Sequence, residues 1–460
     1  DGRVDRVGAG CWEGAPFRGL EVFDAAHERM FFGRDDAICK LQDVLRRTDE
    51  SGCAFVMVVG ASGSGKSSLI RAGVIPTVSQ CDIDDRTQGW RTAIFVPGEH
   101  APDLCTGLVR LIASPNVLPE LAIDEEETRA LVELFVQNPD TTYKLKVREA
   151  IERTADSPGG RSRVVLLIDP LEELFTLPSV SPQQRTNFLR VVRTLARSGD
   201  FRVIVTLRSD FYAEVQSEPL LMELKEEGAH YDLRRPSAAQ LHAVICHPAS
   251  LAGVSYERDA TTGQTLDQRI LDDAVQNPEA MPMLQFLLRE LYENRSTDGV
   301  LLYSEYKRLG GVEGAISKRA ETVYQSLEAE TRAAVSAVLR RVVALNEDDL
   351  ASVARNRAGL AAFKDQPAAG NLVARFIDER LFVSDRGTVT VVHEALLRNW
   401  PRAVEWARDN RDFLRTRARV AQAAKQWGDA QGLNDFLLPQ GQPLADHQAL
   451  LARNREKDDT

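Results

Sequence analysis

Apolar positions along the chain fall into two textures that change over at Pro236. Before it, short continuous apolar runs alternate with stretches of helical period. The runs are Cys53–Val59, Arg91–Val96, Arg163–Ile168 and Phe201–Leu207, with Ala229–Leu233 as a fifth candidate. Asp35–Arg47 carries Ile38, Leu41, Val44 and Leu45 at a spacing near 3.6 and predicts a helix. Unbroken apolar strands separated by helices imply a parallel sheet covered on both faces. After Pro236 the pattern is helical through Ser237–Leu251, Leu266–Val275, Met281–Asn294, Val312–Leu327 and Glu330–Leu345, then Asn371–Arg380. Leu381–Val383 and Val389–Val392 flank the turn residues Ser384–Gly387 and read as a hairpin. A further helix is expected from His393 to Asp409. Helix, hairpin and helix in that order have the texture of a winged helix.

Composition narrows the class. The 460 residues suit roughly three domains. Hydrophobic residues at 43% and charged residues at 27% are ordinary for a globular protein, which excludes disordered and collagen-like chains. A net charge of −11 argues against broad binding to nucleic acid or anionic membrane. No apolar run approaches the ~18 residues of a membrane span. The six cysteines, Cys11, Cys39, Cys53, Cys81, Cys105 and Cys246, form no C-x-x-C pair and have no histidine cluster beside them. They read as reduced thiols of a cytoplasmic protein, with no structural zinc expected.

The chemistry is concentrated in one segment. Gly60-Ala61-Ser62-Gly63-Ser64-Gly65-Lys66-Ser67 matches G-x-x-x-x-G-K-[ST], follows an apolar strand and opens a helix through Ser68. Glycines let the backbone wrap phosphate oxygens, and amide N–H groups with the helix N-terminus supply positive potential. In this motif Lys66 reaches the β- and γ-phosphates and the Ser67 hydroxyl ligates Mg2+. The acid that completes such a site ends a second apolar strand, which points to Asp169 as the other metal ligand. Glu172 and Glu173 follow it. One of them, Glu173 by preference, is expected to orient the attacking water, the alternative being a solvated helix start. Arg208 ends the strand Phe201–Leu207 and is the candidate γ-phosphate sensor, against an ordinary salt bridge. No N-K-x-D tetrapeptide is present, which favours ATP over GTP.

Together these segments resemble the STAND NTPases, in particular the bacterial novel STAND group of NACHT- and NB-ARC-like signalling ATPases. The resemblance runs from Pro16 to about Leu438. It is carried by Pro16–Leu20, Phe31–Arg34, the phosphate loop, Ile168–Phe175, Thr206–Tyr212, Met281–Phe286, Gly310–Ala315 and Val392–Pro401. It implies an α/β P-loop NTPase fold followed by a helical lid and a winged helix. The expected divisions are a leader over 1–16, a nucleotide-binding domain over 17–235, a lid over 236–300, a winged helix over 301–410 and a helical tail over 411–460. It also implies a switch that is closed with ADP and that opens and self-associates with ATP, controlling an N-terminal effector under a C-terminal sensor. Bacterial signalling and antiphage immunity are the implied settings. Carried over residue by residue, Gly33 and Arg34 lie near the adenosine, Pro282 packs near base and ribose, and His393 reaches the ADP phosphates. Two departures stand out: Pro170 follows Asp169 where relatives often carry Gln, and no glycine immediately precedes Pro282.

The chain starts at Asp1, so effector and sensor are expected to lie outside it. Two other readings remain open. One is a DNA-associated regulator using the winged helix, with Arg375, Arg380, Arg386 and Arg398 in its favour. The other is a constitutive ring-forming motor ATPase.

Overall fold

The structure is a computed structural model, and it describes residues 12, 14–78, 87–121, 124–154, 161–177, 179–276, 280–345, 353–363, 365–379, 381–385 and 387–429. Most of the expected leader, the tail beyond 429, and Cys11, Cys81, Arg380 and Arg386 lie outside these residues. The chain divides into two compact units, one of residues 1–281 with 295–301, the other of 282–294 with 302–460.

In the first unit five parallel strands form one sheet: β1 (Phe55–Gly60), β2 (Thr87–Phe95), β3 (Arg161–Ile168), β4 (Phe201–Arg208) and β5 (Ala229–Asp232). Their spatial order is β2-β3-β4-β1-β5. Strand side chains alternate between faces, and both faces here are apolar. Phe55, Met57, Leu166, Ile168, Val203 and Val205 join one core cluster. Val56, Val58, Val165, Leu167 and Ile204 join the cluster on the other side. This two-sided burial is why the strands read as unbroken apolar runs. Helix α1 (Asp35–Ser51) contributes Ile38, Leu41 and Leu45 to the second cluster. Helix α2 (Pro182–Ala196) contributes Phe188, Val192 and Leu195 to the first, and starts with Ser181 and Gln184 in a capping box. Helices α3 (Ala238–Leu251) and α4 (Leu266–Gln276) belong to this unit too, with a small parallel pair β6 (Ser255–Tyr256) and β7 (Val300–Leu301).

The second unit takes most of α5 (Ala280–Glu293). It continues with α6 (Tyr303–Leu309), α7 (Gly311–Ser326), α8 (Val335–Val342), α9 (Pro367–Asp378), α10 (Glu394–Asn399), α11 (Pro401–Asp409) and α12 (Arg411–Asp429). Strands β8 (Val343–Leu345) and β9 (Val353–Arg355) pair antiparallel. Strands β10 (Ala358–Gly359), β11 (Phe382–Asp385) and β12 (Thr388–Val391) form a sheet in the order β10-β12-β11. Two helix expectations are corrected. The stretch Glu330–Leu345 breaks at Ala334 and ends as strand β8, because Val343 and Leu345 are buried in an antiparallel ladder. The helix expected over His393–Asp409 is two helices, since Pro401 disfavours helical backbone at Trp400 and starts α11 afresh. The indoles of Trp400 and Trp406 donate to Glu321 and Ser336, at 3.0 and 2.9 Å.

Among the described residues no helix is long and apolar enough to cross a membrane.

Candidate functional site

Strand register sets the site. Gly60 lies beside Arg208, so the phosphate loop leaves β1 next to the end of β4. Ile168 lies beside Val205, which brings Asp169 level with Thr206. Strand β4 thus stands between the loop strand and the acid strand, and all three ends converge.

Gly63 and Gly65 adopt φ of +71° and +89°, left-handed values that L side chains rarely tolerate. The chain then runs through Lys66–Ser68, a π-helical turn Leu69–Val74 and Ile75–Val78. Lys66 is 8% exposed, and its ammonium donates to the Gly60 and Ala61 carbonyls at 2.7 and 2.9 Å. Burial pulls its pKa down to about 8, against the attraction of Glu172 and Asp169. Ser64 Oγ is buried in the same loop with no hydrogen-bond partner among the described residues. The Ser67 hydroxyl donates to Asp169 Oδ1 at 2.8 Å. Thr206 Oγ1 donates to the same oxygen at 2.5 Å, and Arg71 forks onto Oδ2 at 3.1 and 2.7 Å. Ser68 Oγ accepts the Phe23 N–H at 3.2 Å.

The two glutamates point to different partners. Glu172 Oε2 accepts the Arg208 N–H at 3.2 Å, and burial raises its pKa against the pull of Lys66 and Arg208. Glu173 Oε2 accepts the Gly98 N–H at 2.6 Å. Both are buried. The Arg208 guanidinium pairs with Asp210 at 2.6 Å and stacks over Phe211.

Gly33 and Arg34 support the loop from behind. Gly33 has φ +76°, and a Cβ there would sit 2.4 Å from the Gln240 carbonyl of α3. Arg34, 4% exposed, donates to the Ser64 and Arg234 carbonyls at 2.8 and 2.9 Å. It thereby ties the phosphate loop to the chain leaving β5.

The first unit therefore gathers Gly33, Arg34, residues 60–68, Asp169, Glu172, Glu173 and Arg208. Pro282 and His393 belong to the second unit. Pro282 sits in the first turn of α5, and His393 N-caps α10, its Nδ1 accepting the Ala395 N–H at 3.1 Å. Sequence reasoning missed Arg71 and Thr206. Arg71 lies four residues past Ser67, one helical turn on, which was a readable signal. Thr206 reaches Asp169 only through sheet register.

The residues present fit a magnesium nucleotide. Two hard oxygen ligands stand within hydrogen-bond distance of each other, and a buried ammonium lies in a glycine-rich loop at a helix start.

The chain is similar to known proteins at several distances. The family model Novel STAND NTPase 1 matches residues 16–435. No curated protein matches the chain. Among solved structures, the Aeropyrum pernix ORC2 protein in its ADPNP–ADP complexes is 14% identical, with a TM-score of 0.46 over 84% of this chain and 95% of that one. A Walker-type ATPase of Pyrococcus abyssi is 12% identical, TM-score 0.41, over 83% and 99%. Drosophila ORC bound to DNA is 13% identical, TM-score 0.39, over 87% and 97%. With the family match spanning most of the chain and a complete phosphate loop built on a parallel sheet, the chain belongs to the Novel STAND NTPase 1 family of P-loop NTPases.

Proposed function

We propose that the protein is a slow, regulatory ATPase whose bound nucleotide sets its conformational state. The observation that carries this reading is the contact of Ser67 with Asp169 beside a buried Lys66. Ser67 and Asp169 hold Mg2+, which neutralises charge on the nucleotide phosphates. Lys66 binds the β- and γ-phosphate oxygens and the loop amides line them. Glu172 orients the attacking water: it is buried, its pKa is raised, and it lies in the electrostatic range of Lys66. Glu173, turned to the Gly98 amide, holds the helical turn Pro97–His100 that follows β2. Arg208 reports the γ-phosphate by exchanging Asp210 for it.

ADP keeps the closed state, and ATP opens it for self-association and control of an effector. Pro282 of the expected lid and His393 of the expected winged helix are the candidate residues for state-specific nucleotide contacts. Moving a two-state protein from 1:99 to 99:1 takes about 5.5 kcal/mol of differential binding. A hydrogen bond to a charged group is worth about 1.5–3 kcal/mol. Two to four such contacts, such as those of Lys66, Arg208 and His393, are therefore enough. The biological setting that suits such a switch is bacterial signalling or antiphage defence.

The test is the nucleotide carried by freshly purified protein, released by denaturation and resolved by ion exchange. Stoichiometric ADP is expected. A site that arrives empty and turns over ATP rapidly without a trigger overturns the resting switch and favours a constitutive motor.

The DNA-associated alternative draws on one observation. A cleft of about 350 Å³ on the second unit is lined by Arg355, Arg357, Ser384, Thr388 and Thr390, a basic and hydroxyl-rich wall suited to phosphate. Duplex binding whose affinity falls steeply with salt would support it, and no binding at low salt would remove it.

A further inference from the structure

Helices α3 and α4 pack together in the first unit and bring three side chains of metal-binding type to one point. Contrary to the expectation of cysteines without histidine neighbours, His242 and Cys246 are four residues apart on α3, so they share a face. Asp267 meets them from the first turn of α4. Cys246 Sγ is 3.5 Å from His242 Nε2 and 3.6 Å from Asp267 Oδ2. All three ligand atoms lie within 4.8 Å of one another. A tetrahedral zinc with Zn–S of about 2.3 Å and Zn–N or Zn–O of about 2.0–2.1 Å has S···N and S···O edges of about 3.5–3.6 Å. The two edges measured from Cys246 have that length already.

We propose that His242, Cys246 and Asp267 form a binding site for a zinc-class divalent transition metal, with the fourth tetrahedral position open to water. The donor set decides the class of ion. A thiolate and an imidazole select zinc-like metals, whereas the all-oxygen pair Ser67 and Asp169 suits magnesium. On binding, the Cys246 S–H bond breaks, its proton leaves to solvent, and a sulfur–metal bond forms. No redox change is involved. A nucleophilic role for Cys246 is disfavoured, because burial and Asp267 push the thiol up to about 12, far from a reactive thiolate. His242 is exposed and Cys246 partly so, which leaves the ion a route in.

The ion cross-links α3 to α4. Helix α3 is the one whose Gln240 carbonyl backs Gly33, and Arg34 next to it holds the Ser64 carbonyl of the phosphate loop. The site therefore stiffens the support behind the nucleotide loop. It needs neither nucleotide nor hydrolysis, so it stands or falls apart from the switch reading.

The test uses the full chain, reduced and stripped with chelator, titrated with Co2+ in excess Mg2+ so that Ser67 and Asp169 stay out of the titration. One equivalent is expected, with a thiolate-to-cobalt charge-transfer band and tetrahedral d–d bands, both displaced by Zn2+. Cys246→Ser should lose the charge-transfer band. His242→Ala and Asp267→Asn should each weaken binding by at least about tenfold, since even outer-shell partners of a metal contribute 10–100-fold. Zn2+ should raise the Tm of the stripped wild type more than that of any of the variants. His242 is exposed, so His242→Ala keeps the test independent of core packing. Absence of a charge-transfer band in the wild type, its persistence in Cys246→Ser, or an equal zinc-induced Tm rise in all variants overturns the proposal and leaves a hydrogen-bonded Cys–His–Asp chain.

Discussion

Lys66 donates to two carbonyls of the loop it closes, so its charge is held in place before any phosphate arrives. A phosphate oxygen then competes with neutral carbonyls for a buried cation, which strongly favours the anion. Lys66→Ala is expected to weaken ATP binding by about 10- to 100-fold, the worth of one charged hydrogen bond, as read by calorimetry. Unchanged affinity would refute the phosphate-loop assignment. The two glutamates separate by experiment. Glu172→Gln should keep ATP affinity and lose most turnover, while Glu173→Gln should act mainly on stability by weakening the tie to Gly98. The reverse outcome in single-turnover assays would reassign the water-orienting role to Glu173. The loop, Asp169 and the glutamate pair were legible in the sequence because each is a local pattern with its strand and helix attached. Thr206 and the grip of Arg34 on Ser64 were not, because strand register or a contact across some thirty residues creates them, whereas Arg71, one helical turn past Ser67, was readable and passed over.

At the scale of elements, the sheet is locked at the other end of its strands by a charged cluster. Asp49, at the end of α1, accepts the Arg163 fork at 3.1 and 3.0 Å and Arg202 Nε at 2.9 Å. Both guanidiniums lie over the Trp90 ring, 4.7 and 4.3 Å from its centroid. Arg202 is 1% exposed. Removing the Asp49 carboxylate takes a shared counter-charge from two buried cations. Asp49→Ala should therefore cost about 3–5 kcal/mol in urea unfolding, and Asp49→Asn nearly as much. A loss below about 1 kcal/mol would mean that solvent reaches the pair. Gly33→Ala should also destabilise, because it meets a left-handed φ and the Gln240 carbonyl together. Four strands were readable from apolar runs, with Ala229–Leu233 only a candidate, and Ser237 was readable as a helix start; Ser181 and Asp124 also cap helices, which the apolar pattern alone did not point to. The stretch 330–345 misled, because Val343 and Leu345 serve a strand with the same apolar spacing that a helix would use.

The chain divides into two compact units, and each should report its own chemistry. Mg2+ and ADP are expected to raise the melting transition of the sheet-bearing unit in calorimetry. The second unit carries its own titration. Hydrogen bonds from Arg402 and the Trp400 indole hold the Glu321 carboxyl down at about 2. The unfolded carboxyl titrates near 4.3. A depressed acid stabilises the fold fully above the unfolded value, and loses that contribution as pH falls through the window toward the folded one. The gap in Tm between wild type and Glu321→Gln should therefore be full at neutral pH and shrink as pH drops below about 4.3. A gap constant down to pH 3 would show that the ion pair does not set it.

The position of β1 has a consequence for synthesis. This strand carries the phosphate loop, yet its two neighbours in the sheet are β4 and β5, the last strands to be made. Roughly 170 residues separate Gly60 from the end of β5. At about 5–20 residues per second, the ribosome takes roughly ten to thirty seconds to deliver the second partner. Until β4 is made both hydrogen-bonding edges of Phe55–Val59 are unclaimed, and one stays open until β5 is made. A ribosome stalled before Ala229 should carry a chain that recruits holdase chaperones through this segment, and one released after Asp232 should not.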